Sequence, residues 1–346
     1  LIATVSAVAF YLFMAHTFTT PQPFISIDIF RNQNFVVGLL FMFVCGVLLV
    51  ASMALMAPFL QNVLGYPIID ASTRLLKRES YPSIRQQELL LNHGMGETLW
   101  NSLTITGVIE AKGRALCEAT APDFQAIIEE DVSATCVGHL NKGLLYAHGL
   151  DEGGDKANGQ GGHDDMWFAV RDALFGKDAF PLPVVPESIS RPEIGRLMPV
   201  IDKQYEDWIL LLMNVLMIEV RAEAFFSFCT NLMRSPEGFR DRRPAAMHAA
   251  ELVERIRTDE AIHVAYLQAF VSEMRSFTIK GLNGERIKGS AMIDPIWEGM
   301  IHWHSVTQAD FSREQGRQAI EERIAKRADG RALLAQFDAL AQKVAA

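Results

Sequence analysis

ERIRTDEAIHVAYL, residues 254–267, lies inside a longer run from Pro244 to Phe277 whose apolar residues recur at helical spacing. One stripe of this segment reads Val253, Ile256, Glu260, His263, Leu267, Phe270 and Met274, in steps of three or four. A carboxylate and an imidazole therefore fall on the seam expected to face a core. Buried there, each must be paired, hydrogen-bonded or metal-bound. The i, i+3 spacing also puts both donors on one helix face, as a shared metal requires.

Working outward, Ile201–Arg234 repeats the pattern, with Leu212, Val215, Glu219, Ala222, Phe226, Cys229 and Met233 forming a seam interrupted by one acid. Glu219 is thus a candidate carboxylate ligand, and Glu223, one turn on, is a further ligand or a supporting group. Gln86–Cys117 and Pro122–His148 complete four amphipathic segments, and none shows the alternation of strands. In the first, Glu97 shares a stripe with Leu90, His93, Trp100 and Thr104; in the second, His139 shares one with Ile128, Val132, Gly143 and Tyr146. Pro122 and Pro244 sit where a first helical turn accepts proline. Between the second and third segments lies GLDEGGDKANGQGGHDD, residues 149–165, followed by a proline-rich run over 180–199. Together they read as a long crossover, with His163, Asp164 and Asp165 capping or solvating a loop. Residues beyond Pro295 add helices with a solvated charged face, and His302 and His304, two apart, point to opposite sides.

The first 69 residues are a different material. Their only charged side chains are Asp28 and Arg31, and Phe35–Leu60 has the length and apolarity of a membrane span, with Leu1–Phe18 as a shorter second stretch. The alternative is a pair of buried core helices. Residues 19–67, from TTPQPF to NVLGYP, resemble an internal piece of a major facilitator drug-efflux transporter. Two spans cannot form the two pseudo-symmetric bundles that alternating access needs, so transport is not expected of this chain alone. The change of character near Pro67 points to a gene fusion, a truncation or an assembly artefact. The expected division is 1–67, joined to the membrane if that segment is genuine, and a helical domain over 70–346 with its core bundle at 86–277.

The net charge of −9 belongs to the later part, and no segment concentrates Lys and Arg, which argues against a nucleic-acid partner. Four scattered cysteines without a C-x-x-C pair fit free thiols and a cytoplasmic helical domain. The glycines cluster without a preceding strand, so no dinucleotide site is implied.

Taken together, Glu97, Glu219, Glu260 and His263 resemble the ligands of di-iron carboxylate proteins of the ferritin-like superfamily, in which Glu, Glu-x-x-His, Glu and Glu-x-x-His arise from four successive helices. The resemblance, which covers about residues 86–277, implies a ferritin-like four-helix bundle with a long crossover; with the helical tail and the apolar N-terminal stretches, the expected fold is all-α, that bundle with extra C-terminal helices, preceded by one or two transmembrane helices. It implies a non-haem oxidase or oxygenase, with dioxygen and a small organic molecule as substrates and a homodimer as the candidate assembly. Its cofactor is two iron ions, an iron–manganese pair, or a single metal. The first Glu-x-x-His is broken: three residues before His139 stands Cys136. That thiol is a possible ligand in its own right, Glu223 could supply the missing oxygen, or one metal position is lost. A helical scaffold with a decayed site is the alternative that Cys136 favours.

Overall fold

The computed structural model describes residues 80–342 and, before them, scattered residues between 11 and 45. The chain divides into two compact units, Leu1–Tyr66 and Pro67–Ala346. In the first, residues 33–45 are helical and expose their apolar side chains. Among the described residues no helix is long and apolar enough to cross a membrane. The span expected over Phe35–Leu60 runs beyond Cys45, outside the described residues, as does most of Leu1–Phe18.

Among its described residues, the second unit is helical apart from one short hairpin and two isolated bridges. Helix α1 (Ile84–Asn92) starts at Ser83, whose hydroxyl accepts from the Gln86 N–H while the Gln86 side chain accepts from the Ser83 N–H. Helices α2 (Glu97–Gly113), α3 (Cys136–His139), α4 (Leu144–Gly153) and α5 (His163–Leu174) follow. After them come the long α6 (Lys203–Arg234) and α7 (Arg243–Ser276), the latter with Pro244 in its first turn as expected. A hairpin of β1 (Thr278–Lys280) and β2 (Arg286–Lys288) pairs Ile279 with Ile287 in antiparallel register. Helix α8 (Gly289–His302) passes through a π-helical turn, Trp303–Thr307, into α9 (Gln308–Ala325), and α10 (Gly330–Gln342) packs back on α1 and α9.

Helix α6 packs along α7, α2 along α5, and α5 also against α7. Two apolar cores fill this arrangement. One gathers Leu212, Leu216, Leu267 and Phe270. The other gathers Leu103, Trp167, Phe226, Val253 and Ile256. Along α7, Glu260 and His263 fall between the residues of the second core and those of the first, and along α6 Glu219 sits where the first core ends at Val220, before Phe226 of the second. The seam polar residues thus form a buried layer between two hydrophobic ones.

Three expectations are corrected. The segment Gln86–Cys117 is not one helix: α1 ends at Asn92, Gly94 turns the chain with φ 71°, and α2 begins anew at Glu97, so the stripe through Leu90, His93 and Glu97 is broken. The segment Pro122–His148 is not one helix. Ile128 makes a β-bridge to Ile279, the Asp131 carboxylate turns the chain by accepting from the Ser133 N–H, and Gly143 adopts φ 130°. Nor is residues 149–165 a crossover. The actual crossover is the proline-rich run, which has no regular element between Leu174 and Lys203. The glycine-rich stretch instead ties the end of α4 to the start of α5. Gly154 has φ +67°, and a Cβ there would meet the Gln160 carbonyl oxygen at 2.3 Å; one on Gly162 would meet the Gly154 nitrogen at 2.4 Å. Only glycine permits that closeness, and Asp155 and Gln160 close the loop with an antiparallel bridge.

Candidate metal centre

Seven side chains converge in the buried polar layer. Helix α2 supplies Glu110, α4 supplies His148 and Glu152, α5 supplies His163, α6 supplies Glu219, and α7 supplies Glu260 and His263. All are at most 9 % exposed. They form two groups whose donor atoms lie within 4.8 Å of one another: His148, Glu152, Glu219 and His263 in one, and Glu110, Glu152, His163 and Glu260 in the other. Glu152 belongs to both. Glu260 also spans them, with Oε1 3.0 Å from His163 Nδ1 and Oε2 3.0 Å from His263 Nδ1.

Each histidine has one nitrogen held from outside. His163 Nε2 lies 3.5 Å from the Asp259 carboxylate, His263 Nε2 lies 3.2 Å from the Asp151 carboxylate, and His148 Nδ1 lies 2.6 Å from the Tyr266 hydroxyl. An N–H directed at those oxygens fixes the tautomer of the neutral ring and leaves the other nitrogen as its lone pair. Those inner nitrogens face the carboxylates: His148 Nε2 is 3.2 Å from Glu219 Oε1, and His263 Nδ1 is 3.5 Å from Glu152 Oε1. The His148 and His263 rings stack 3.8 Å apart. Glu152 Oε1, His163 Nδ1 and Glu260 Oε1 are buried and have no aligned hydrogen-bond partner, close as they are to one another. Buried acceptors without donors are costly, and three of them pointing into one space are suited to a cation.

The electrostatics agree. Burial raises the carboxyl groups of Glu110, Glu152, Glu219 and Glu260 above the ordinary range, Glu219 to about 7. Repulsion among the four adds to the shift. Burial pushes His148 and His263 down. Burial also opposes charge on His163, but the Glu260 and Glu110 carboxylates outweigh it and lift that imidazole to about 9. Among the described residues the four carboxylates pair only with the three histidines, and no Lys or Arg lies within ion-pair distance of them. Once the protons on these carboxyl groups and the one on His163 leave, four carboxylates and three neutral imidazoles would match the charge of two divalent ions, and the oxygen and nitrogen donors suit iron or manganese.

No family model, curated protein or solved structure matches this chain. The site therefore rests on its own geometry.

Of the residues singled out in the sequence, Glu219, Glu260 and His263 meet at this centre. The others do not. Glu97 opens α2 and forms a two-pronged ion pair with Arg323, at 3.0 Å on each oxygen. Glu223 is held by Arg257, whose Nε donates to Oε2 at 2.9 Å. His139 is exposed, with its ring against the Thr135 carbonyl oxygen at 2.7 Å. Cys136 lies outside both groups; its thiol points to the Tyr266 carbonyl oxygen, and burial pushes it up to about 12, far from a thiolate. The Glu273 carboxylate accepts from the backbone N–H groups of Cys136 and Val137, which docks the start of α3 on α7. The C-V-G-H run is thus a docking turn rather than a damaged ligand pair.

Four donors escaped the sequence reading. Glu110 continues the α2 stripe through Leu103 and Gly107, at the same steps of three and four. His148 and Glu152 are spaced i, i+4, which was a readable signal. His163 carried none beyond its place after two glycines.

Proposed function

We propose that this chain is a ferritin-like oxidoreductase whose centre holds two metal ions, iron or an iron–manganese pair, and uses dioxygen to oxidise a small organic substrate. One observation carries the reading. Three buried histidines each fix an outer nitrogen on Asp259, Asp151 or Tyr266 and turn the inner one toward four buried carboxylates. The chain order supports it: one acid from α2, an acid with histidines from α4 and α5, one acid from α6, and Glu-x-x-His from α7. This is close to the order of ligands in di-iron carboxylate bundles. It departs from that order in having His148 four residues before Glu152 and an additional histidine, His163.

A metal pair in this position would supply dioxygen binding and reversible redox change. The protein's own part is positional. Glu152 and Glu260 reach both groups and would set the spacing between two ions, with His148, Glu219 and His263 completing one and Glu110 and His163 the other. Trp167, Phe226, Leu267 and Phe270 in the flanking cores keep water out. Asp259, Asp151 and Tyr266 hold the rings in register. The reading as a scaffold with a decayed site depended on Cys136, which stands away from the donors.

The test is elemental analysis of the full chain after loading with ferrous iron without air and removal of excess, followed by exposure to air. About two metals per chain and a new near-ultraviolet absorbance are expected. Full folding with neither, in protein whose Glu260→Ala and His263→Ala variants behave identically, would refute it.

A further inference from the structure

A cavity lies on the far side of α6 from the donors. Helices α2 and α6 face each other across this half-open cavity of about 750 Å³, which α9, the π-helical turn and residues 80–82 also line. Its wall carries Arg221, two residues beyond Glu219 and so turned by about 200° around the helix. Arg221 has no carboxylate within ion-pair distance among the described residues. Its nearest polar neighbours are His304 Nδ1 at 3.4 Å and the Ile189 carbonyl oxygen at 3.5 Å. Burial pulls the guanidinium down to about 10, and His304 beside it is held neutral, at about 3, by burial and by the nearby arginines. The other cations of the wall are engaged: Arg323 by Glu97, and Arg313 over the Tyr81 ring at 5.0 Å.

The same cavity collects unsatisfied polar atoms. Gln87 Nε2, Thr98 Oγ1 and Asn101 Oδ1 are buried without a hydrogen-bond partner, and all three residues line it. Gln87 is only 2 % exposed. Leu99, Ile105, Phe225 and Phe228 give the wall an apolar side, on α2 and α6, while α9 and the π-helical turn add polar residues such as Ser305, Gln308 and Asp310. A largely buried cation lacking a counter-ion, unspent hydrogen-bonding atoms and an apolar side to the wall are what a small-molecule site presents. Its volume is within the range of such sites.

We propose that this cavity binds an organic carboxylate with an apolar body, its carboxylate paired with the Arg221 guanidinium and its body against Phe225 and Phe228. A planar carboxylate matches the guanidinium fork, while a free cationic or neutral ligand would leave the buried charge unanswered. The π-helical turn fits this role, since such turns occur often at functional sites. The inference does not require metal in the neighbouring layer.

Calorimetric titration of the full chain with decanoate tests it, with decanol and decylamine as comparisons. Saturable binding of one decanoate is expected, tighter than decanol by about tenfold or more, in line with a charge-assisted hydrogen bond, and none of decylamine. Arg221→Gln should erase the preference for decanoate over decanol, Arg221→Lys should retain part of it, and Ala224→Phe, which fills the cavity, should abolish binding. Absence of saturable decanoate binding, equal affinity for decanol, or unchanged decanoate affinity in a folded Arg221→Gln or Ala224→Phe protein would overturn it.

Discussion

His163 Nδ1 stands 3.0 Å from Glu260 Oε1, joining the start of α5 to the middle of α7 at the polar layer. The pair depends on the glycine loop that turns the chain between Glu152 and His163, and on Asp259, which faces the other nitrogen of the same ring.

Replacing His163 by alanine therefore removes a donor from one group only. Metal content, measured by elemental analysis, should fall from about two ions per chain to about one. His139→Ala should leave it unchanged, because that ring is exposed and away from the donors. Equal losses in both variants would contradict the assignment.

How far these positions could be read from the chain differs helix by helix. Glu219, Glu260 and His263 were legible because they interrupt long apolar seams, and the periodicity of α6 and α7 alone places them in the core. Glu97 and Glu223 lie on or beside similar stripes but are neutralised by Arg323 and Arg257, partners remote in sequence that no local pattern reveals. Glu152 and His163 were hidden for a different reason: they border a stretch whose glycines read as a flexible connection. In the structure those glycines serve close backbone approach, which composition alone does not separate from flexibility. The cavity under α9 was also out of reach, since Arg221 and Gln87 meet only through tertiary packing.

Metal-free protein should lose stability as the pH rises from 6.5 to 9. Glu219 is raised from 4.5 to about 7, so its folded form favours the proton, and its contribution is full below 4.5 and gone above about 7. His163 is raised from 6.5 to about 9; its contribution is full below 6.5 and is lost as the pH climbs through 9. His148 and His263 are lowered and already neutral above 6.5, so they add no slope in this window. Divalent metal needs the deprotonated ligands, so manganese should stabilise more at pH 9 than at 6.5. Melting curves with chelator and with manganese check this, and parallel pH slopes in the two would count against it.

Gly154→Ala should unsettle the centre from outside it. The φ of +67° disfavours any side chain, and the new Cβ would meet the Gln160 carbonyl oxygen at 2.3 Å, so the loop must open. A loss on the order of 2 kcal/mol is expected from the backbone conformation and the overlap together. Denaturant titration reads the stability, and metal content should drop as well because Glu152 and His163 separate. Gly159→Ala is the control: that glycine also has positive φ, +71°, but its Cβ would meet nothing. It should cost less and leave the metal in place.

Tyr266→Phe isolates the outer support of a single ring. The hydroxyl lies 2.6 Å from His148 Nδ1, and burial drives the phenol far above its usual range, so it stays protonated and neutral at every pH the protein survives. Removing the oxygen leaves the aromatic ring in its place against His148, at 5.7 Å between centroids, while the imidazole loses the partner that holds its Nε2 toward Glu219. Loss of such an outer contact ordinarily weakens metal binding by about 10- to 100-fold. Competition with a chelator of known affinity should register that loss in the group containing His148. Affinity in the group containing His163 should stay close to the original, since Asp259 still faces its ring. An equal fall in both groups would mean that Tyr266 supports the layer through packing rather than through its hydroxyl.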